Sequence, residues 1–364
     1  MNHSISQESN IKWPLIWSLI ALNAAIVISW IAYHNYQPKL LDRFGFVDLD
    51  NLLGYSKLLV MATVPPLAGF LADRMRSTYR NSLPFVSIGV SITALIFMTV
   101  AATISPQALL PLSGVLPIMI ILWLISMNLF YAPALATLEE FVPPAQFTLV
   151  MGVFILVSDL VYALEPAIIL LVDTLGASLT FITGGVLIGV SGYFFSRLYK
   201  SHEKPRAFIP DSIEDKNGKH FTILAIGLCL GFVVAYLMNV VPEIISAKLP
   251  ASYNSFPIEL IISLVLILTA ITAYLVSKRI ANKRRSKLFK WSFLIALLAF
   301  ALINILPGQY ALSGFLLLIP TIGIMSLTAF PMAISKIGYS DKMLAAGLFV
   351  AGLEIPDSLL ELFY

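Results

Sequence analysis

The sequence predicts an all-α, polytopic membrane protein, and three observations support this fold class. The chain has 364 residues, of which 59% are hydrophobic and only 12% are charged, whereas about 25% of the residues in a soluble domain are charged. Apolar stretches of about 20 residues, long enough to cross a bilayer as helices, recur from Trp13 to the end of the sequence. The lysine and arginine residues collect almost entirely in alternate gaps between these stretches.

We predict eleven membrane-spanning helices. The apolar runs are too long and too uniformly apolar for the strands of an outer-membrane barrel, so helix is the expected structure. The N-terminal stretch lacks the basic region and cleavage site of a signal peptide, and the first run is therefore expected to be a retained span. The predicted spans are 13–33, 52–72, 82–104, 112–138, 147–172, 178–197, 221–242, 257–277, 288–306, 311–334 and 341–364.

The basic residues predict the orientation of these spans. They cluster after spans 2, 6, 8 and 10, whereas the opposite gaps contain only Lys39, Arg43 and Lys248. By the positive-inside rule, the N-terminus and the central loop are expected in the cytoplasm. We expect the protein in the plasma membrane, which is the inner membrane if the source is Gram-negative. The clustered residues are Arg74, Arg76, Arg80, Arg197, Lys200, Lys204, Arg206, Lys216, Lys219, Lys278, Arg279, Lys283, Arg284, Arg285, Lys287, Lys290, Lys336 and Lys342.

One polar segment divides the sequence into two parts. Residues 199–220 are rich in charge and contain two prolines and a glycine, a composition typical of a linker. The predicted domains are an N-terminal six-helix bundle (1–198), a cytoplasmic linker (199–220) and a C-terminal bundle of about five helices (221–364). Two halves of six helices need twelve spans, so either a twelfth helix is missing or one predicted span contains two helices.

A short motif after span 2 resembles a known family signature. The residues GFLADRMRSTYR, at positions 69–80, are similar to the loop 2–3 signature of the major facilitator superfamily, G-x-L-x-D-R-x-x-R. Gly69, Leu71, Asp73 and Arg74 match, whereas Arg76 stands where a glycine is usual. Residues 170–189 also resemble the exit of helix 5 and the entry of helix 6 in that family. The resemblance implies the two-bundle fold of these membrane transporters.

The resemblance also implies a gating role for this motif. In the family, the loop 2–3 aspartate takes part in a charge and hydrogen-bond relay at the cytoplasmic side, partly with the N-terminus of helix 11. A helix N-terminus carries a partial positive charge and favours an anion. The alternative is that the arginines only determine topology. The implied gating residues are Gly69, Asp73, Arg74, Arg76 and Arg80.

Two departures count against a typical multidrug exporter of this family. Span 4 contains no arginine, so the arginine signature of many proton-driven antiporters is absent. Span 5 has Leu164-Glu165-Pro166 about where the drug-efflux antiporters carry a Gly-Pro pair.

Acidic residues within the spans are candidate proton-coupling sites, because a charge in hydrocarbon costs several kcal/mol unless it faces a cavity or a partner. Asp159 is about 18 Å into span 5, near the middle of the bilayer; the alternative is a carboxyl that only packs helices. Glu165 is either a second acid of the route or a wetted interfacial residue. The other two candidates are Glu354 and Asp357.

Span 11 carries its acids on one helical face, since Glu354, Asp357 and Glu361 are spaced i, i+3, i+7. We expect Glu361 to belong to a frayed outer end of this span. Lys57 of span 2 either neutralises one of these acids or extends to the membrane surface, and the sequence favours the surface.

Polar residues on spans 1, 4, 7 and 10 are candidate substrate contacts. Near mid-depth such side chains bind a polar solute or, more commonly, hydrogen-bond neighbouring helices. Tyrosines nearby either stack on a flat ligand or pack. The candidates are Asn23, Asn128, Tyr131, Tyr236, Asn239, Thr321 and Ser326.

The function that we expect is secondary active transport of a small polar solute by alternating access, as a proton-coupled symporter. The alternatives are drug or metabolite efflux by the same fold and a non-transporting membrane scaffold or assembly factor. An anion carrier is disfavoured because no arginine lies deep in a span. The expected partners are the solute, protons and the lipid bilayer, and the protein is expected to be a monomer.

Several function classes are not supported by the sequence. All four histidines, including His34, are predicted outside the spans; there is no H-E-x-x-H pair and no glycine-rich phosphate loop, so neither an enzyme nor an ATP-driven pump is expected. The single Cys229 excludes an internal disulfide. We expect no cofactor, no metal and no nucleic-acid partner.

Overall fold

The structure is a computed structural model that describes residues 11–79, 81–105, 114–202, 219–249, 257–280 and 284–363. Within these residues, eleven helices are long and apolar enough to cross a membrane. This number agrees with the predicted spans, and the expected class, an all-α multi-pass membrane protein, is confirmed. Arg80, one of the expected gating residues, lies outside the described residues.

The helices follow the predicted spans closely, with short helical or 3₁₀ turns between them. In chain order they are α1 (Trp13–Phe44), α2 (Asp50–Tyr79), α3 (Leu83–Ile104), α4 (Leu116–Ala136), α5 (Leu138–Phe141), α6 (Phe147–Ala163), α7 (Glu165–Leu175), α8 (Ala177–His202), α9 (His220–Ala235), α10 (Val241–Lys248), α11 (Ile258–Ser277), α12 (Arg285–Ile305), α13 (Gly314–Ile334) and α14 (Lys342–Leu360).

The first helix is longer than predicted. It continues past residue 33 to Phe44 and is terminated by Gly45, whose φ of 76° is in the left-handed region where glycine is favoured. As a consequence His34 lies within α1, and the prediction that it lies outside the spans is wrong. The apolar run ended before the helix did, because the last turns of α1 carry polar residues on one side.

Predicted span 5 is two helices, α6 and α7, which meet at Leu164. Pro166 is the second residue of α7. Proline lacks an N–H and its ring clashes with the carbonyl one turn earlier, so it fits best in the first turn of a helix, although α2 accommodates Pro65 and Pro66 in its interior. The Glu165-Pro166 pair therefore starts a new helix at this point.

Predicted span 7 is also interrupted. A π-helical turn, Tyr236–Val240, separates α9 from α10. A π turn inserts one residue into the helical repeat and is frequently found at functional sites. It changes the direction of the side chains on either side, and Asn239 lies in it.

Helices α2 and α14, which lie on opposite sides of the polar segment 203–218 in the sequence, pack against each other, from Gly54 beside Leu362 to Gly69 beside Met343. Glycines allow this contact: a Cβ atom on Gly69 would overlap the Met343 carbonyl oxygen and lie 2.8 Å from Leu344 Cα, and one on Gly347 would overlap the Pro65 carbonyl oxygen. The two helix backbones therefore touch directly.

A second contact joins the first and second halves of the chain. Helix α6 packs on α11, where a Cβ on Gly152 would lie 2.5 Å from the Cβ of Ser277. These two pairs, α2 with α14 and α6 with α11, form most of the surface between residues 11–202 and residues 219–363.

Candidate functional site

The candidate residues fall at three levels along the helices. We call the end of the bundle that holds Arg74, Arg76 and the start of α14 the basic end, and the end that holds Asp50 and Glu361 the opposite end. Lys57 and Asp73 are separated by about 24 Å along α2, at 1.5 Å per residue. The remaining acids and tyrosines lie between these two levels.

At the basic end, Asp73 caps the N-terminus of α14. Its carboxylate accepts hydrogen bonds from the backbone N–H groups of Leu344 (2.8 Å) and Met343 (3.3 Å). These belong to the first turn of the helix, whose N–H groups have no partner within the helix. Asp73 is only 7% exposed, so the contact is a buried, charge-assisted link between the two halves. This geometry is the one that the family resemblance implies.

Arg76 supplies the compensating charge for Asp73. Its guanidinium lies 3.2 Å from the Asp73 carboxylate and 4.0 Å from that of Glu140. It also donates a hydrogen bond to the Ser340 carbonyl oxygen in the turn before α14 (3.5 Å). The arginine that departs from the family signature is therefore part of the link between the halves in this chain.

The sequence analysis missed two acids at this end. Glu139 pairs with Lys342 at the start of α14 (2.9 Å), and Glu140 accepts a hydrogen bond from the Tyr199 hydroxyl (2.6 Å). Both acids lie in the short helix α5, directly after the apolar run of span 4. The sequence did contain a signal for this pair. Two adjacent acids follow span 4 at the predicted cytoplasmic end, where the basic residues after the other spans are available as partners.

Arg74, in contrast, is exposed and faces away from the contact between the halves. Together with Leu71, Met75, Thr78 and Phe85, it lines a surface groove. The structure therefore separates the expected gating residues: Gly69, Asp73 and Arg76 lie in the contact between α2 and α14, and Arg74 does not.

At the opposite end, Lys57 joins α2 to α1 and α14. Its ammonium group lies 2.5 Å from a Glu361 carboxylate oxygen, 3.4 Å from one of Asp357 and 3.2 Å from His34 Nε2. Lys57 is only 3% exposed. The prediction that it extends to the membrane surface is therefore wrong, because a close pair of carboxylates on α14 stabilises the ammonium inside the protein.

The position of Glu361 also differs from the expectation. The residue follows the last turn of α14, but it is anchored by Lys57 rather than frayed. Burial of its carboxyl raises the pKa of Glu361 above its usual value, and the nearby Lys57 charge opposes this shift. The helical spacing that placed Asp357 and Glu361 on one face was correct, since both reach the same ammonium.

Asn239 connects the π turn between α9 and α10 to this network. Its side-chain amide donates hydrogen bonds to an Asp357 carboxylate oxygen (2.9 Å) and to the Ala235 carbonyl oxygen (3.0 Å). The other candidate of this helix, Tyr236, turns to α12, where its hydroxyl accepts a hydrogen bond from Asn304 (2.9 Å) and its ring lies 4.5 Å from that of Phe300. The π turn thus directs Asn239 and Tyr236 to different neighbours.

His34, Asp357 and Glu361 form a group that a metal ion could bind, with ligand atoms within 4.8 Å of one another. The Lys57 ammonium contacts all three of them. An ammonium group can only donate, so His34 Nε2 accepts and the imidazole carries its proton on Nδ1. The position between His34, Asp357 and Glu361 that a metal ion would take is therefore occupied by the Lys57 ammonium group.

Between the two ends, Glu354 of α14 interacts electrostatically with the hydroxyls of Tyr131 on α4 and Tyr162 on α6. Glu354, Tyr131 and Tyr162 are partly exposed. An acid of the second half therefore lies near two tyrosines of the first half, between the two sets of contacts. The sequence analysis missed Tyr162.

Asp159 faces protein rather than lipid. It lies four residues from Ile155 and from Ala163, which are both 6% exposed, so the three residues share one face of α6. The next residue, Leu160, is 36% exposed. Asp159 itself is partly exposed, as is Glu165 at the start of α7. The break at Leu164 places Asp159 and Glu165 on two different helices.

The remaining candidates make local contacts. Asn23 donates a hydrogen bond to the Ser158 hydroxyl (2.6 Å), and both Asn23 and Tyr131 line a cavity of about 10 Å³ in the first half, which holds at most one water molecule. Asn128 and Thr321 are buried and bond to carbonyl oxygens of their own helices. Ser326 is partly exposed on α13.

Comparisons with known proteins give the fold a context. No family model and no curated protein sequence matches the chain. Among solved structures, the human organic anion transporter MFSD10 matches with a TM-score of 0.68 at 13% identity, over 96% of this chain and 92% of that one. A variant of the E. coli fucose:proton symporter FucP matches with a TM-score of 0.65 at 13% identity, over 94% and 89%.

At this level of identity the likeness shows the fold. The chain has the fold of these two membrane transporters, and the fold implied by the resemblance to the major facilitator superfamily is confirmed.

Proposed function

We propose that the protein is a secondary active transporter that moves a small polar solute across the membrane by alternating access of its two halves. The observation that carries this proposal is the two-ended contact of α2 with α14. Asp73 links the helices at the basic end, Lys57 links them at the opposite end, and the ionisable residue Glu354 lies between. Each link closes one end, and each can break without disturbing the inside of either half.

In this mechanism the six-helix half, 1–198, and the C-terminal half, 221–364, rock against each other about the linker 199–220. By the positive-inside rule the basic end faces the cytoplasm. Gly69, Asp73 and Arg76 form the cytoplasmic gate, and Lys57, Asp357 and Glu361 form the outer one. Because two buried charged links cannot both break cheaply, opening one end favours keeping the other closed.

Proton coupling is the proposed energy source. Asp159 and Glu354 lie in apolar helices, where a charge is costly unless it faces a cavity or a partner. Within the part of the chain that the structure describes, neither carboxylate has a hydrogen-bond partner. A carboxyl in such a place is suited to binding and releasing a proton as the halves move. Glu165 and Asp357 are the other proposed members of the route.

Symport of a neutral or cationic solute fits this interior better than anion transport. The described ionisable groups between the two gates are acids, and the basic residue near them, Lys57, is already paired. This differs from what the name of the human relative would suggest, and it agrees better with a proton-coupled symporter such as the bacterial one.

The test is a substrate screen in proteoliposomes with an imposed proton gradient, read by an internal pH dye. Substrate-dependent proton entry is expected for the wild-type protein and is expected to fall at least about tenfold in Asp159→Asn. Asp173→Asn is the matched control, because Asp173 is exposed at the end of α7 and pairs with Lys39.

Two outcomes would count against the proposal. If Asp159→Asn kept the full pH-dependent flux, proton coupling through this residue would be wrong. If no solute in a broad panel moved with or without a gradient, while the purified protein remained folded, a non-transporting membrane scaffold would be the better account.

A further inference from the structure

The buried ammonium of Lys57 occupies a site whose acceptors match its chemistry. An ammonium group carries three N–H donors, and three acceptors surround it: His34 Nε2, one oxygen of Asp357 and one of Glu361. The ammonium also lies 5.9 Å from the centre of the Trp30 ring, within range of a cation–π interaction. Two carboxylates, a neutral imidazole and an aromatic face form a complete receptor for a primary ammonium group.

None of these groups belongs to the helix that carries Lys57. Trp30 and His34 lie on α1, and the two carboxylates lie on or directly after α14. Lys57 contacts Oδ2 of Asp357. The other carboxylate oxygen, Oδ1, accepts a hydrogen bond from Asn239 of the π turn, which holds the carboxylate in place. The receptor is therefore built by the rest of the protein, and Lys57 is inserted into it from α2.

The receptor carries more negative charge than Lys57 neutralises. Asp357 and Glu361 each contribute a carboxylate, and the charges of Glu354 and Asp50 are near enough to interact with this pair. When the halves separate at this end, Lys57 leaves with the first half and the two carboxylates remain on the second. The two carboxylates then lose the positive charge that balances them, so the opened site favours a replacement cation.

We propose that this site recognises a primary ammonium group on the transported solute, and that Lys57 is a tethered ion that fills the site when no solute is bound. The inference rests on the proposed function and names its substrate class: a small solute that carries a primary amine. In the open conformation the amine binds to Asp357 and Glu361. As the end closes, it takes the place of the Lys57 ammonium between these carboxylates and His34.

The three acceptors distinguish this ligand from other cations. A quaternary ammonium has no N–H group and cannot donate a hydrogen bond to any of the three acceptors. A primary ammonium donates to all three, and such charge-assisted hydrogen bonds are about twice as strong as neutral ones. A divalent metal would need the three ligand atoms to close around it at about 2 Å. The Lys57 ammonium instead lies 3.2 Å from His34 and 3.4 Å from Asp357, which are hydrogen-bond distances.

The experiment uses the full chain in lipid nanodiscs and the variant Lys57→Ala, which empties the site. Thermal unfolding is measured with increasing n-propylammonium, with tetramethylammonium as the cation without N–H and n-propanol as the neutral analogue, at constant ionic strength. We expect n-propylammonium to raise the melting temperature of Lys57→Ala. Its half-saturating concentration should be at least about tenfold lower than that of tetramethylammonium, and n-propanol should have no effect.

Two further variants assign the effect to the site. In Lys57→Ala combined with Asp357→Asn and Glu361→Gln, the stabilisation by n-propylammonium should disappear. Lys248→Ala is the matched control: the Lys248 ammonium also has three acceptors, but they are the backbone carbonyl oxygens of residues 303, 304 and 306. Because this vacated place has no carboxylate, n-propylammonium should stabilise Lys248→Ala no more than it stabilises the wild-type protein.

If Lys57→Ala does not fold, the same thermal-unfolding measurement on the wild-type protein still tests the inference. There the amine competes with Lys57, so n-propylammonium should still stabilise the protein more than tetramethylammonium does, at a higher concentration than in the variant. Equal effects of the two cations in every folded protein would overturn the inference, as would stabilisation of Lys57→Ala by Zn²⁺ and not by the amine.

This binding measurement is independent of transport. Absence of amine binding together with proton-driven uptake of another solute would overturn the amine site alone. Amine binding without any uptake in proteoliposomes would instead contradict the proposed transport function.

Discussion

The close contact between α2 and α14 at the basic end leads to a prediction for Gly69→Ala. A Cβ at this position would lie 2.8 Å from Leu344 Cα and would overlap the Met343 carbonyl oxygen. Ordinary van der Waals contact begins at about 3.4 Å, so the two helices must separate by at least about 0.6 Å. Both obstructing atoms are backbone, and a side-chain rotation cannot relieve the overlap. The strain therefore falls on the contact between the two halves.

The size of the effect follows from two contributions. Overpacking a tight contact costs about 1–3 kcal/mol. The separation also lengthens the hydrogen bonds from Met343 and Leu344 to Asp73, now 3.3 and 2.8 Å, and hydrogen bonds to a charged group contribute about 1.5–3 kcal/mol. Because the hydrogen bonds lengthen and do not break, their contribution is only partly lost, and together the two effects destabilise the conformation closed at the basic end by about 2–5 kcal/mol. At about 1.4 kcal/mol per tenfold, the closed-to-open ratio falls roughly thirty-fold or more.

The assay is a distance measurement between spin labels on the two halves. Labels are placed on Ser77→Cys of α2 and Ser335→Cys after α13, both exposed at the basic end, in a Cys229→Ser background. Gly69→Ala should add or enrich a population with a longer distance, because the basic end opens. Gly189→Ala is the matched control, since its Cβ would make an ordinary 3.6 Å contact with Ala94 and should leave the distances unchanged.

One result would refute the reasoning directly. If Gly69→Ala were folded and showed the wild-type distance distribution, the contact of α2 with α14 would not control closure of the basic end. An equal change in Gly189→Ala would show that any added methyl group in a glycine-containing helix perturbs the protein, and the specific role of Gly69 would be lost.

Two further predictions concern single contacts at the opposite end. Hydrogen bonds from Lys39 and Asn35, together with the Lys39 charge, hold the pKa of Asp173 below its usual value. The ionised Asp173 carboxylate therefore stabilises the folded protein at any pH above its unfolded-state pKa of about 3.9. This stabilisation is lost as the pH falls through the lower folded-state pKa. The melting temperature of Asp173→Asn should lie below that of the wild type at pH 7, and the gap should close below about pH 4; a gap that persists at pH 3 would contradict the assignment. Lys248 donates to three carbonyl oxygens at the end of α12 (2.6–2.9 Å), so Lys248→Met should destabilise the protein by about 1–3 kcal/mol, and an unchanged melting temperature would show that water replaces the ammonium at no cost.

Much of the candidate site could be predicted from local sequence. The loop 2–3 motif identified Gly69 and Asp73, and the spacing on span 11 put Asp357 and Glu361 on one face. Both are short-range properties: a motif is read from adjacent residues, and helical periodicity places residues three, four and seven apart together. Asp159 was found in the same way, since a charge within a long apolar run is conspicuous on its own.

The predictions that were wrong or missing concern contacts between residues far apart in the sequence. A lysine near the end of a span, such as Lys57, can avoid the hydrocarbon by extending to the membrane surface. Nothing near Lys57 in the sequence indicates that it is buried instead. Its actual partners lie about 300 residues away, at Asp357 and Glu361. The roles of Glu139 and Glu140 were missed for the same reason, because Lys342 and Arg76 are brought to them only by the packing of α2 and α14 against the end of α4.

The sequence by itself determined the class of protein, the number of membrane-spanning helices and the concentration of basic residues at one end. These follow from the lengths of apolar runs and from the placement of charges, which each segment carries independently of the others. Only the tertiary structure decided which charges meet, that Lys57 is enclosed by three acceptors, and that the backbones of α2 and α14 touch at Gly69. Such contacts depend on how helices far apart in the chain pack, and a buried ion is stable only where that packing supplies its partners.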